Sequence, residues 1–131
     1  MSAETILIWI SQFCLTLVAT LLFAIIVHEF GHFAYFQLHT DQRTAEIRMW
    51  RDTEKKGHPL LCLRLGVGHP VHYRGLSNQQ LAHLYLWGIV AGFIPIVLST
   101  LVSLWVPVAA VPLYVFGCKK DIWNLSDVWE K

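Results

Sequence analysis

From Thr5 to Val27 the chain carries no charged residue, and this run ends directly on His28-Glu29-Phe30-Gly31-His32. The run is long enough to cross about 30 Å of hydrocarbon as a helix rising 1.5 Å per residue. Ionisable groups are rare in such a helix, because each costs several kcal/mol in hydrocarbon unless it is paired or liganded. Three of them within five residues therefore demand a partner.

Their spacing says what kind. Residues four apart share one face of a helix, so His28 and His32 can present imidazole nitrogens to a single ion. The pattern is HExxH, in which two histidines bind zinc and the glutamate next to the first acts as base. A catalytic zinc takes three protein ligands and keeps one position for water, whose pKa it lowers to about 7. Glu29 would take the proton of that water. Two histidines on one helix also suit haem, but haem has no use for Glu29. The motif occurs by chance in soluble helices; in an apolar segment, burying His, Glu and His without a partner is costly.

The composition agrees with a membrane setting. Of 131 residues, 55% are apolar and 15% charged, a balance that leans away from a soluble globule. The length suits one unit, residues 1–131. A net charge of +1 gives no basic excess, and no nucleic-acid partner is expected. Cys14, Cys62 and Cys118 form no CxxC pair and no even framework. The N-terminal run lacks a basic lead-in and a small-residue cleavage site, and reads as retained.

The chain divides into four parts. Helix 1 is expected over 5–38. Residues 40–80 form a polar loop with Arg43, Arg48, Arg51, Lys55, Lys56, Arg64 and Arg74, seven of the ten basic residues. The positive-inside rule makes this loop cytoplasmic and puts the N-terminus outside. Within it, 46–50 and 60–67 suggest a β-hairpin turning at Lys56-Gly57-His58-Pro59. Such a hairpin either stabilises the loop or accepts a substrate segment as an added strand. Gly66 to Pro70 reads as a tight bend. Ser77 and Gln80 fit a capping box opening helix 2, expected over 81–105. Gly88 and Gly92 are a small-xxx-small pair, suited to internal packing or to a homo-oligomer, and Pro95 suggests a kink. Helix 3 is expected over 107–130, returning to the cytoplasmic side at Lys119 and Lys120.

This topology brings the ends of helices 1 and 3 to one depth. Asp121 is then the expected third ligand, with Asp127 as its competitor. Asp121 also suits a plain solvated carboxylate pairing with Lys119 or Lys120. The fold class expected is all-α integral membrane: a three-transmembrane-helix core with a cytoplasmic β-hairpin loop between helices 1 and 2.

His28-Glu29-Phe30-Gly31-His32 at the end of a first membrane helix resembles the site-2 protease family of intramembrane zinc metalloproteases. Trp87 to Pro95 is similar to that family's small-residue segment on the second helix. Asp121-Ile122-Trp123-Asn124-Leu125 is similar to the Asp-x-aromatic-Asn-Leu form of its smaller members. The Asn-Pro-Asp-Gly and Gly-Pro-x-x-Asn patterns of more familiar members do not occur here. The resemblance implies a three-helix core, Zn2+ held by His28, His32 and Asp121, Glu29 as catalytic base, and hydrolysis of peptide bonds in membrane proteins.

The function expected is thus an intramembrane zinc endopeptidase of the lipid bilayer, acting on single-span membrane proteins. It would be multi-pass, with the loop 40–80 and the C-terminus cytoplasmic, most simply in a plasma membrane. The alternative is a catalytically inactive metal-binding or scaffolding protein of the same fold, its site closed by a fourth ligand such as Asp127 or His83. A diffusible metal or redox carrier is a third class, and would have no need of Glu29.

Overall fold

A computed structural model of the chain describes residues 2–39, 47–48, 66–67 and 76–130. They form helix α1 (Ala3–His39), helix α2 (Asn78–Leu98), a 3-10 turn (Ser99–Leu101), helix α3 (Trp105–Gly117) and helix α4 (Lys119–Trp129). The hydrophobic run thus continues as one helix through the HExxH residues. Helix α2 opens on the expected capping box: Gln80 N–H donates to the Ser77 hydroxyl at 3.2 Å, and Ser77 N–H donates to the Gln80 side chain at 3.0 Å.

Two expectations are corrected. The β-hairpin of residues 46–50 and 60–67 is not present among the described residues. Between α1 and Leu76 only Ile47–Arg48 and Gly66–Val67 are described, paired antiparallel at two positions. Two pairs do not make a hairpin, and a lone two-stranded ribbon is marginal in water. The strand signal in 60–67 rested on a partial alternation, Leu61, Leu63 and Leu65. The turn expected at 56–59 and the bend at 68–70 lie outside the described residues. The described fold is therefore helical, without a β layer. The helix expected over 107–130 is also two helices, divided at Cys118, whose φ of −87° and ψ of 6° leave the α region.

Helix α1 buries one stripe, Thr20, Ala24, His28, Gly31, His32, Tyr35 and Phe36, at the three- and four-residue spacing of a single helix face. This stripe lies mainly on α2 and to a lesser extent on α3, while α4 packs on α2. Ala24, Ile96, Ala110, Tyr114 and Cys118 form one apolar cluster, and Tyr35, Phe36 and Leu84 a second. The HExxH histidines lie between the two.

The outer surface is apolar. Leu15 is 72% exposed, Phe23 63% and Leu104 73%. Helix α1, and α2 continued to Leu101, are long and apolar enough to cross a membrane. Only 11% of the most apolar stretch of α1 is buried within the molecule, whereas the core helix of a soluble protein would be mostly covered. Ser11, Thr16 and Thr100 donate their hydroxyls to carbonyls of their own helical segments, which satisfies them without water.

Candidate metal centre

The helical repeat and two close contacts position the histidines. A Cβ on Gly31 would lie 2.6 Å from the Trp87 carbonyl oxygen and 2.7 Å from Ala91 Cβ, so glycine lets α1 and α2 approach here. Across the contact, a Cβ on Gly88 would overlap the His32 ring, and one on Gly92 would overlap the Tyr114 hydroxyl. The small-residue pair on α2 is therefore used within the chain, as a seat for two site side chains.

His28 and His32 are 5% and 6% exposed, and Asp121, in the first turn of α4, is partly buried. His28 Nε2 is 2.9 Å from Asp121 Oδ2 and 2.9 Å from His32 Nε2. His32 Nε2 is 3.6 Å from the same carboxylate oxygen. One ligand atom from each of the three residues falls within 4.8 Å of the others. The two imidazoles meet edge to face, at 89° with centroids 4.5 Å apart. The structure thus brings together His28, His32 and Asp121. Asp127 is exposed, and neither it nor His83 joins the group. His83 instead lies edge-on to Tyr35, 6.1 Å between centroids. Glu29 follows His28 on α1 and is partly buried.

The donor set fits a metal. His32 Nδ1 is 2.8 Å from the Leu84 carbonyl oxygen. A carbonyl only accepts, so Nδ1 carries the proton and a neutral His32 offers its Nε2 lone pair to the centre. That lone pair and the Asp121 carboxylate both face His28 Nε2. Such facing acceptors need either a proton on His28 or a cation among them. Two imidazoles and one carboxylate are a ligand set of catalytic zinc, and an outer carbonyl on the far ring nitrogen is its usual support. The protein fold alone accommodates the proton as well, as a His28–Asp121 ion pair.

Spacing alone did not reveal Tyr114, Cys118 or the Leu84 carbonyl. A signal was available: Val106, Ala110, Tyr114, Cys118 and Asp121 follow one helical stripe, and the first four are buried. This stripe runs through the α3–α4 break and points Asp121 inward. No family model, no curated protein and no solved structure matches the chain. The functional reading therefore stands on the chemistry of the site.

Proposed function

We propose that the chain is an intramembrane zinc endopeptidase, as its resemblance to the site-2 protease family implies. The observation that carries the reading is the convergence of His28, His32 and Asp121, from α1 and α4, at the end of an apolar 37-residue helix. Among the described residues the group has three members, the number that leaves a catalytic zinc one position for its reactant.

His28, His32 and Asp121 would hold the ion. When bound, zinc supplies a Lewis acid that polarises a carbonyl and acidifies water. The rest falls to the chain itself. Glu29 accepts a proton from the water that attacks the peptide carbonyl carbon, and returns it to the amine as the C–N bond breaks. The Leu84 carbonyl keeps the His32 ring in orientation. The apolar surroundings limit water to what the reaction consumes.

In this reading α1 and α2 cross the bilayer and α3 continued by α4 returns to the inner side, with the N-terminus outside and residues 40–80 and the C-terminus cytoplasmic. The site then lies toward the cytoplasmic face, and the plasma membrane is the simplest location. The substrate is a single-span membrane protein, unwound locally because helical amides are already paired.

Zinc content per chain in detergent-purified protein tests the reading. Near-stoichiometric zinc is expected in wild type and Asp127→Asn, and loss of zinc in Asp121→Asn. Folded wild type without zinc would leave a membrane interaction protein with a His–Asp pair. Zinc retained by Asp121→Asn but lost by Asp127→Asn would overturn the ligand set.

A further inference from the structure

Tyr114 lies on α3, outside the HExxH motif and outside the proposed ligand set, yet it is 3% exposed and its hydroxyl is 2.8 Å from His28 Nδ1. The same hydroxyl lies 3.0 Å from the Ile89 carbonyl oxygen and 3.4 Å from that of Gly88. These carbonyls on α2 can only accept, so the single Tyr114 proton goes to them, with Ile89 the nearer. The Tyr114 oxygen is then left to accept, and His28 Nδ1 must donate. An imidazole with its proton on Nδ1 has its lone pair on Nε2, the nitrogen that faces His32 and Asp121.

The surroundings hold this arrangement in place. Glycine at 92 makes room for the phenol, and the Phe93 ring packs edge-on against it at 5.0 Å. Among the described residues the other polar group on His28 Nδ1 is the Cys118 thiol, at 3.6 Å. A thiol is a weak partner, and at that distance it does not compete with a hydroxyl at 2.8 Å.

We infer that Tyr114 is a positioning residue: it accepts the His28 Nδ1 proton, fixes the ring's tautomer and orientation, and thereby presents Nε2 as a metal ligand. The two histidines then have matched supports. The Leu84 carbonyl sets His32, and the Ile89–Tyr114 relay sets His28, both from α2. The effect on metal rests on the zinc reading; the hydrogen bond itself does not.

The test uses full-length protein in detergent with 15N-labelled histidine, with His28 assigned through His28→Gln. Long-range 1H–15N spectra of the metal-stripped wild type should show a proton on His28 Nδ1, alone or together with the Nε2 proton of the His28–Asp121 ion pair. Tyr114→Phe keeps the ring and removes the hydroxyl. It should weaken zinc binding about 10- to 100-fold and shift His28 away from the Nδ1–H tautomer. Phe93→Leu disturbs the packing of the phenol but none of its polar contacts, and should leave zinc affinity unchanged. A wild-type His28 with no proton on Nδ1 overturns the inference, and needs no variant to fold. So does Tyr114→Phe with wild-type zinc affinity, or a loss in Phe93→Leu equal to that in Tyr114→Phe. Wild type that binds no zinc defeats the protease reading alone. In that event the Nδ1 proton still decides Tyr114: its presence supports the inference and a bare Nδ1 removes it.

Discussion

His28, Glu29 and His32 occupy little more than one turn of α1, yet the structure gives them different surroundings. Both imidazoles are buried, and both have an α2 or α3 oxygen on Nδ1. Glu29 is only partly buried and does not belong to the ligand group. A carboxylate beside the ligands but outside their set suits a base rather than a ligand. The proton-transfer role proposed for it predicts a separation of two measurements. Glu29→Gln keeps the size and the hydrogen-bonding ability of the side chain but cannot take a proton. Zinc content should stay at the wild-type level, while hydrolysis of a single-span substrate should fall by a factor of about 10²–10⁴ or more. Purified Glu29→Gln protein that still cleaves at the wild-type rate would remove Glu29 as the base. Loss of zinc in the same variant would show that the residue supports the centre instead.

At the scale of the helix, glycine placement determines whether the centre can form. At Gly88 an added Cβ meets the His32 ring, and at Gly117 it meets nothing within 4 Å. Gly88→Ala should therefore force the imidazole aside, lower zinc affinity and cost about 1–3 kcal/mol of stability. Gly117→Ala, at the end of α3, should stay within about 0.5 kcal/mol of wild type. Parallel zinc titrations and thermal melts check this pair, and equal effects from both substitutions would contradict the packing account. These same elements show what the sequence made legible. The charge-free run and the Ser77–Gln80 box located α1 and α2, because length in hydrocarbon and capping are local properties. The HExxH spacing likewise placed both histidines on one face. The break at Cys118 was not legible, since no proline or chain of turn residues marks it. The hairpin failed because a partial alternation of leucines was given the weight of a full one. Depth alone favoured Asp121 over its competitor Asp127. Facing adds to it: six residues at 100° each set the two positions about 120° apart around the helix, and the buried stripe through Tyr114 and Cys118 continues to Asp121. Tyr114 itself was hidden because a buried aromatic on an apolar helix looks like ordinary packing until its hydroxyl is placed against His28.

For the whole molecule, the question is which surface meets lipid and which side of the membrane carries the polar segment. The helices expose leucine, valine, phenylalanine and tryptophan along most of their length, while seven arginines and lysines fall between residues 40 and 80. A surface that apolar would drive association in water, and the positive-inside rule favours the cytoplasmic side for such a basic loop, as the proposed topology has it. The three cysteines sample these environments separately. Cys14 is exposed on the outer surface of α1, within the charge-free run, and Cys118 is buried against Tyr114 and His28. Cys62 belongs to the basic segment. In single-cysteine variants, a membrane-impermeant maleimide added to sealed right-side-out vesicles should label none of the three. Opening the vesicles should expose Cys62 alone, and inside-out vesicles should label it directly. Labelling of Cys62 in intact right-side-out vesicles would invert the topology and move the metal centre to the outer face. Ready labelling of Cys14 in intact vesicles would instead place α1 in water. That result would end the intramembrane reading even if the three ligands bound zinc, because a solvated α1 would no longer bring the centre to a peptide bond within the bilayer.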